Sequence, residues 1–311
     1  MTIRRIAAIM LFLAAAVTVS AQTSISNEVL GFSRLSQDPV YTGMAFAGRA
    51  STHSPAWSSW TNAAAIPFYD GKADFGVSYQ HWAPSSAVER TFAGGAAGHF
   101  GIFGISLGFM TRSGEPYDVI DLNGIPKGEF TPRDIVGSAG LSLRLVKWLS
   151  LGVDMRYIHQ TVAENVSLSA FAADILLMAK FGDFSVTAGV ANVGGKVKDA
   201  EGEDWSLPSS VAFGAGYETV IAEKHAINAY IDFDYFYAVK AATFAVGAEY
   251  GFNDIAFVRG GYHFGGVGAV LPSFASVGIG AKYWGVKINA SYTFANKDLM
   301  NTFTVGLGYC F

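Results

Sequence analysis

The last ten residues of the chain alternate without a fault. Phe303, Val305, Leu307, Tyr309 and Phe311 fall on one face of an extended strand, and Thr302, Thr304, Gly306, Gly308 and Cys310 fall on the other. A strand so apolar on one face cannot leave its edge bare in lipid, where each unpaired N–H or C=O is costly. It has to pair, most simply with the first strand of a closed barrel. This one segment sets the expectation for everything upstream.

The other end agrees. Arg4 and Arg5 precede an apolar run from Ile6 to Val19, and Val19, Ser20 and Ala21 put small residues where signal peptidase cuts, before Gln22. The reading is a cleaved signal peptide over 1–21. The run is short for a bilayer span of about 20 residues. Beyond it no apolar stretch approaches that length, so membrane insertion must use strands. Charged residues make up 15% of the chain, where about 25% is usual in soluble domains. The net charge of −4 offers no basic footprint for nucleic acid. Cys310 has no second cysteine to pair with and reads as a small lumen-facing filler.

Period-2 alternation yields about fourteen strands, near 72–82, 90–99, 100–112, 134–148, 149–160, 168–181, 183–193, 207–219, 225–237, 241–250, 255–264, 274–284, 286–295 and 302–311. The alternation alone would also suit a soluble sandwich. Loop parity separates the two, because outer-membrane barrels have short turns at one end and longer loops at the other. Here the connections at Lys147–Leu149, Gly182–Asp183 and Trp284–Gly285 are brief, whereas 113–133, 194–206 and 265–273 all fall on the opposite side. Trp82, Trp148 and Trp284 lie at strand ends, where an aromatic girdle would put them. The predicted fold is all-β: a closed antiparallel transmembrane β-barrel of about fourteen strands with an N-terminal plug, divided as signal peptide 1–21, plug 22–70 and barrel 71–311.

The plug is expected because a barrel of this size leaves a lumen too wide for its own side chains to fill. Residues 22–70 lack strong alternation, yet Phe32, Tyr41, Phe46, Trp57, Trp60 and Phe68 make them too apolar for a disordered tail. Gly43 and Asn62 are candidates to line a pocket at the plug. On the barrel wall Arg144, Asp154, Arg156, Asp174, Asp232, Asp234, Glu249, Lys282 and Lys287 take the polar phase of their strands, while Arg259 fits less cleanly because Ile255 and Phe257 share its phase. A mixed-sign lumen argues against strong ion selectivity and suits a hydrogen-bonded wall that holds the plug.

Signals for chemistry are weak. The glycine-rich run from Gly260 to Gly268 lacks the spacing of a nucleotide loop, and the six histidines include no close ligand pair. No local signature brings a Ser, a His and an acid together. The acidic loop from Lys198 to Asp204 reads as a solvated outer loop before a cation site. No catalytic residue, metal or cofactor is expected.

The apolar terminal strand closing on Phe311 resembles the C-terminal signal of bacterial outer-membrane barrels. The small-residue run Gly43–Ala50, the stretch Ser58–Ala65, the strand Phe75–Trp82, the loop Asp121–Asp134, the strand Leu149–Ile158, Ala173–Ile175, Val190–Gly194 and Leu207–Pro208 resemble, in order and spacing, the PorV/PorQ family, relatives of the fatty-acid transporter FadL. The chain departs from that pattern at Ala63, where the family commonly has proline. The resemblance implies a fourteen-stranded outer-membrane barrel with a plug, and a non-enzymatic accessory or shuttle role in type IX protein secretion, with secretion-system proteins, cargo and outer-membrane lipid as partners. The alternative it implies is FadL-like transport of hydrophobic small molecules.

Overall fold

A computed structural model describes residues 28–83, 88–121, 123–164, 166–198, 202–265, 271–294 and 302–311. The expected signal peptide lies outside the described residues, as do positions 22–27 and parts of the loops 194–206 and 265–273. The strands run in chain order as β1 (Ala73–Trp82), β2 (Glu89–Phe100), β3 (Phe103–Ser113), β4 (Tyr117–Ile120), β5 (Pro126–Phe130), β6 (Arg133–Val146), β7 (Leu149–Ala163), β8 (Val166–Phe181), β9 (Phe184–Gly194), β10 (Val197–Lys198), β11 (Asp204–Trp205), β12 (Ser210–Ile221), β13 (His225–Phe236), β14 (Ala241–Phe252), β15 (Ala256–Phe264), β16 (Phe274–Tyr283), β17 (Val286–Phe294) and β18 (Thr302–Cys310).

Fourteen of these strands form one closed antiparallel barrel. The remaining four make two small hairpins, β4 with β5 and β10 with β11, within long connections. The seam is β1 against β18, in register from Asp74 opposite Cys310 to His81 opposite Phe303. The terminal strand thus finds the partner its lipid-facing edge requires. Val77, Leu107 and Leu307 are each more than half exposed on the outer face, whereas Ser78, Ser106 and Thr304 on the opposite phase are buried inside. An apolar exterior of this kind on a closed ring of paired strands makes the protein an outer-membrane barrel that crosses with strands.

At one rim the connections between consecutive barrel strands span only two or three residues. Trp284 and Gly285 turn β16 into β17 with φ of 48° and 79° at the two positions, the left-handed pair that matches strand twist in a tight hairpin. The long connections gather at the opposite rim, which is therefore the outer one. Two outer connections are nevertheless short, those between β7 and β8 and between β13 and β14. On that side β6, β7 and β8 run for 14, 15 and 16 residues and carry the wall beyond its neighbours.

One expectation is corrected. Trp148 and Trp284 do lie outside at the inner rim, stacked on Phe181 and Tyr283, but Trp82 is buried in the lumen with Tyr41, Phe46 and Phe274. Its phase explains this, since Asp74, Gly76, Ser78 and Gln80 on the same strand also point inward.

Residues 28–72 occupy the lumen and run from the outer rim to the inner one. At the outer rim Glu28 pairs in parallel with Ser206, and at the inner rim Lys72 N–H donates to the Phe311 carbonyl at 2.9 Å. Between them lie short helical turns. Pro39–Gly43 begins where the Asp38 carboxylate accepts from Val40 N–H at 2.8 Å, with proline at the first turn, a standard helix start. The Asn62 side chain caps Ala63–Phe68 in the same way through Ala64 N–H at 3.0 Å.

Candidate functional site

The lumen is where the unusual groups converge, and two kinds of surface hold the inner segment. The first is ionic. Asp232 on β13 accepts from the Tyr41 hydroxyl at 2.8 Å and from Arg49 N–H at 3.0 Å. The Arg49 guanidinium pairs with Asp234 at 2.8 Å. Lower on the wall, Glu218 of β12 accepts from Thr52 N–H at 2.9 Å, Thr52 Oγ1 at 2.7 Å, Tyr230 at 2.9 Å and Lys180 at 2.9 Å, and pairs with His53 at 3.0 Å. Asp232 and Glu218 are buried and Asp234 nearly so, and each requires its partners: removing one side of a buried pair costs about 3–5 kcal/mol.

The second surface is apolar. Met110, Val136, Ile158 and Leu168 point inward from β3, β6, β7 and β8 and pack with Leu30, Phe32 and Trp57 of the inner segment. The Arg112 guanidinium lies 4.1 Å over the Phe32 ring. Its charge is met by Glu89 and Asp134, both at 2.6 Å. Leu30 itself takes a left-handed backbone, φ 58°, an uncommon conformation for a leucine that turns the chain from its Ser206 pairing down into the lumen.

The charges selected on the wall lie on the inward phase of their strands, while Gly43 and Asn62 belong to the inner segment. Asp232 and Asp234 hold Tyr41 and Arg49 as above. Asp154 accepts from Ala63 N–H at 3.1 Å, and Asn62 donates to the Arg49 carbonyl at 2.9 Å. Arg156 pairs with Asp174 and donates to Asn192 Oδ1 at 2.8 Å, while Asn192 N–H donates to Asp174 at 2.7 Å. That triangle sits where β9 fits one extra residue against β8, a bulge between Ala173 and Ile175 with Asn192 at φ 52°. Arg259 lies inside despite its mixed phase, paired with Glu249 and donating to Asn289 at 2.9 Å. Phe257 shares its face because the Arg259 guanidinium stacks on that ring.

The others sit nearer the rims or on the backbone. Lys287 pairs with Asp74, which also accepts from Ala56 N–H at 3.1 Å. Lys282 reaches Asp254 in an inner turn at 2.7 Å, and Arg144 lies 5.2 Å over the Phe68 ring. Gly43 meets Gly278 backbone to backbone: a Cβ on Gly43 would stand 3.1 Å from the Gly278 Cα. The groups sequence reasoning missed are Arg49, Lys180, Glu218 and Asp74. Asp74 and Glu218 also lie on the inward phase of their strands, a signal that was there to be read; Arg49 belongs to a segment with no period at all.

These features define a class: a fourteen-stranded outer-membrane barrel whose lumen is occupied by its own N-terminal chain. Among solved structures the fold matches the toluene transporter TbuX of Ralstonia pickettii with a TM-score of 0.64 at 12% identity, over 90% of this chain and 99% of that one. It matches the monoaromatic hydrocarbon channel CymD with a TM-score of 0.60 at 12% identity, over 89% and 98% of the two chains. A FadL homologue from Pseudomonas aeruginosa gives 0.54 at 12% identity, over 88% and 98%. The barrel therefore has the FadL-like fold. No protein-family model and no curated protein matches the sequence.

Proposed function

We propose that this barrel passes hydrophobic small molecules across the outer membrane, with residues 28–72 as its plug and without catalysis. The observation that carries the reading is the inward apolar surface of Met110, Val136, Ile158 and Leu168 below the outer rim. A barrel serving polar solutes would keep its lumen polar; here the outer half offers a greasy wall against which Leu30 and Phe32 are now seated. The structural neighbours described as toluene and monoaromatic hydrocarbon transporters support the same reading. The type IX role drawn from the PorV/PorQ resemblance finds no support among those neighbours.

The test is uptake in an outer-membrane host lacking its own hydrophobic-compound channels. Cells producing this protein are expected to accumulate labelled toluene or a long-chain fatty acid faster than controls, and Ile158→Arg, at the centre of the apolar wall, is expected to abolish the gain while the barrel still reaches the membrane. Unchanged uptake with the wild-type protein, together with periplasmic retention of surface proteins when the native gene is deleted, would overturn the transport reading and restore the secretion role.

A further inference from the structure

The outer face of the barrel is not uniform. Across β18, β1, β2, β3, β6, β7 and β8 the wall is dented into a concavity of about 940 Å³, lined by Phe75, Val77, Leu107, Phe109, Met155 and Phe171 with small residues such as Ala96 and Ala139 among them. Directly toward the outer rim on the same strands stand Arg90 and Arg133, both exposed and outward. Arg90 is in register with Ser113, and Ser113 with Arg133. Two guanidinium groups therefore bracket a hydroxyl two strands apart, about 10 Å from backbone to backbone.

Neither arginine has a carboxylate partner among the described residues. Their sequence neighbours Glu89 and Asp134 point into the lumen and are held there by Arg112 at 2.6 Å each. The alternation of the strands thus separates the charges, acids inside and bases outside. On the far half of the barrel the outermost outward positions of β13, β15 and β17 are Tyr235, Phe264 and Phe294, and that of β14 is Ala242 followed by Phe244, none of them a cation.

Arginines on a lipid-facing wall are tolerated only near the interface, and a planar guanidinium binds phosphate through two parallel hydrogen bonds. We propose that this face binds one phosphorylated lipid of the outer leaflet, its phosphate between Arg90 and Arg133 with Ser113 donating, and its acyl chains in the dent below. Four to six residues separate Arg90 from Gly94 and Ala96 in the concavity, a strand length of about 13–20 Å that suits an acyl chain. The site lies outside the barrel and does not depend on the transport reading.

Native mass spectrometry of the detergent-purified barrel tests it, with bisphosphorylated lipid A, phosphatidylglycerol and neutral phosphatidylcholine as probes. A one-to-one adduct is expected with the two anionic lipids and not with phosphatidylcholine, whose phosphodiester is already neutralised by its own quaternary ammonium. Arg90→Gln combined with Arg133→Gln is expected to weaken the adduct at least about tenfold, and Ala139→Trp, which fills the dent without touching charge, to weaken it as well. Both variants should keep heat-modifiable migration, because Arg90, Arg133 and Ala139 all face outward. Equal retention by wild type and the arginine variant, equal binding of phosphatidylcholine, or displacement of the lipid by inorganic phosphate alone would each overturn the proposal.

Discussion

The two surfaces that seat the inner segment differ in what they demand. On β12 and β13 the polar contacts are directional: Asp232, Asp234 and Glu218 each meet particular donors at hydrogen-bond distance, so the stretch from Tyr41 to His53 is held in one position. Below the outer rim on β3, β6, β7 and β8 the contacts that Met110, Val136, Ile158 and Leu168 make with Leu30 and Phe32 are dispersive, and another hydrophobe of similar volume could take their place. The ionic seat fixes the segment; the apolar seat holds it in a way another greasy molecule could imitate. A single barrel thus combines an anchored half with an exchangeable one.

Substitutions on the two sides should separate them. Arg49→Ala removes the guanidinium paired with Asp234 at 2.8 Å while the Arg49 backbone N–H to Asp232 remains, and is expected to loosen the whole segment by about 3–5 kcal/mol. Limited proteolysis in detergent would read this as rapid cleavage within residues 28–72, and an unchanged cleavage rate would show that the ionic seat is not the anchor. Thr52→Val removes one hydroxyl donor from Glu218 while its backbone N–H remains. The expected loss is about 1.5–3 kcal/mol, visible as a lower thermal midpoint of heat-modifiable migration. Ile158→Val deletes one methylene from the apolar seat and should cost only about 0.5–1.5 kcal/mol. If its effect on proteolysis matched that of Arg49→Ala, the distinction between the seats would collapse.

The barrel was legible because alternation is written locally. The strand from Leu149 to Tyr157 shows its two faces within nine residues, and closure followed from the apolar edge of β18. What could not be read is of longer range. Asp234 was selected from its phase, but its partner Arg49 lies 185 positions away in a segment whose turns have no period. Trp82 shows the limit from another side: an aromatic ring at a strand end suits girdle and lumen equally, and only counting its phase from Asp74 decides. The bulge at Asn192 and the hairpins β4–β5 and β10–β11 left no mark in the alternation, because each rests on backbone angles that several residue types can adopt.

The direction in which the inner segment runs has a mechanical meaning. Its first described residues are fastened beside Ser206 at the outer rim, and its last pass into β1 at the inner rim. With an unbroken wall on every side, the segment behaves like a cord inside a sleeve, sewn to the sleeve at the bottom: it can slacken lengthwise, and it cannot be drawn out sideways. Among the described residues its covalent tie to the wall is therefore at the inner rim alone, and the Glu28–Ser206 pairing at the outer rim holds by hydrogen bonds.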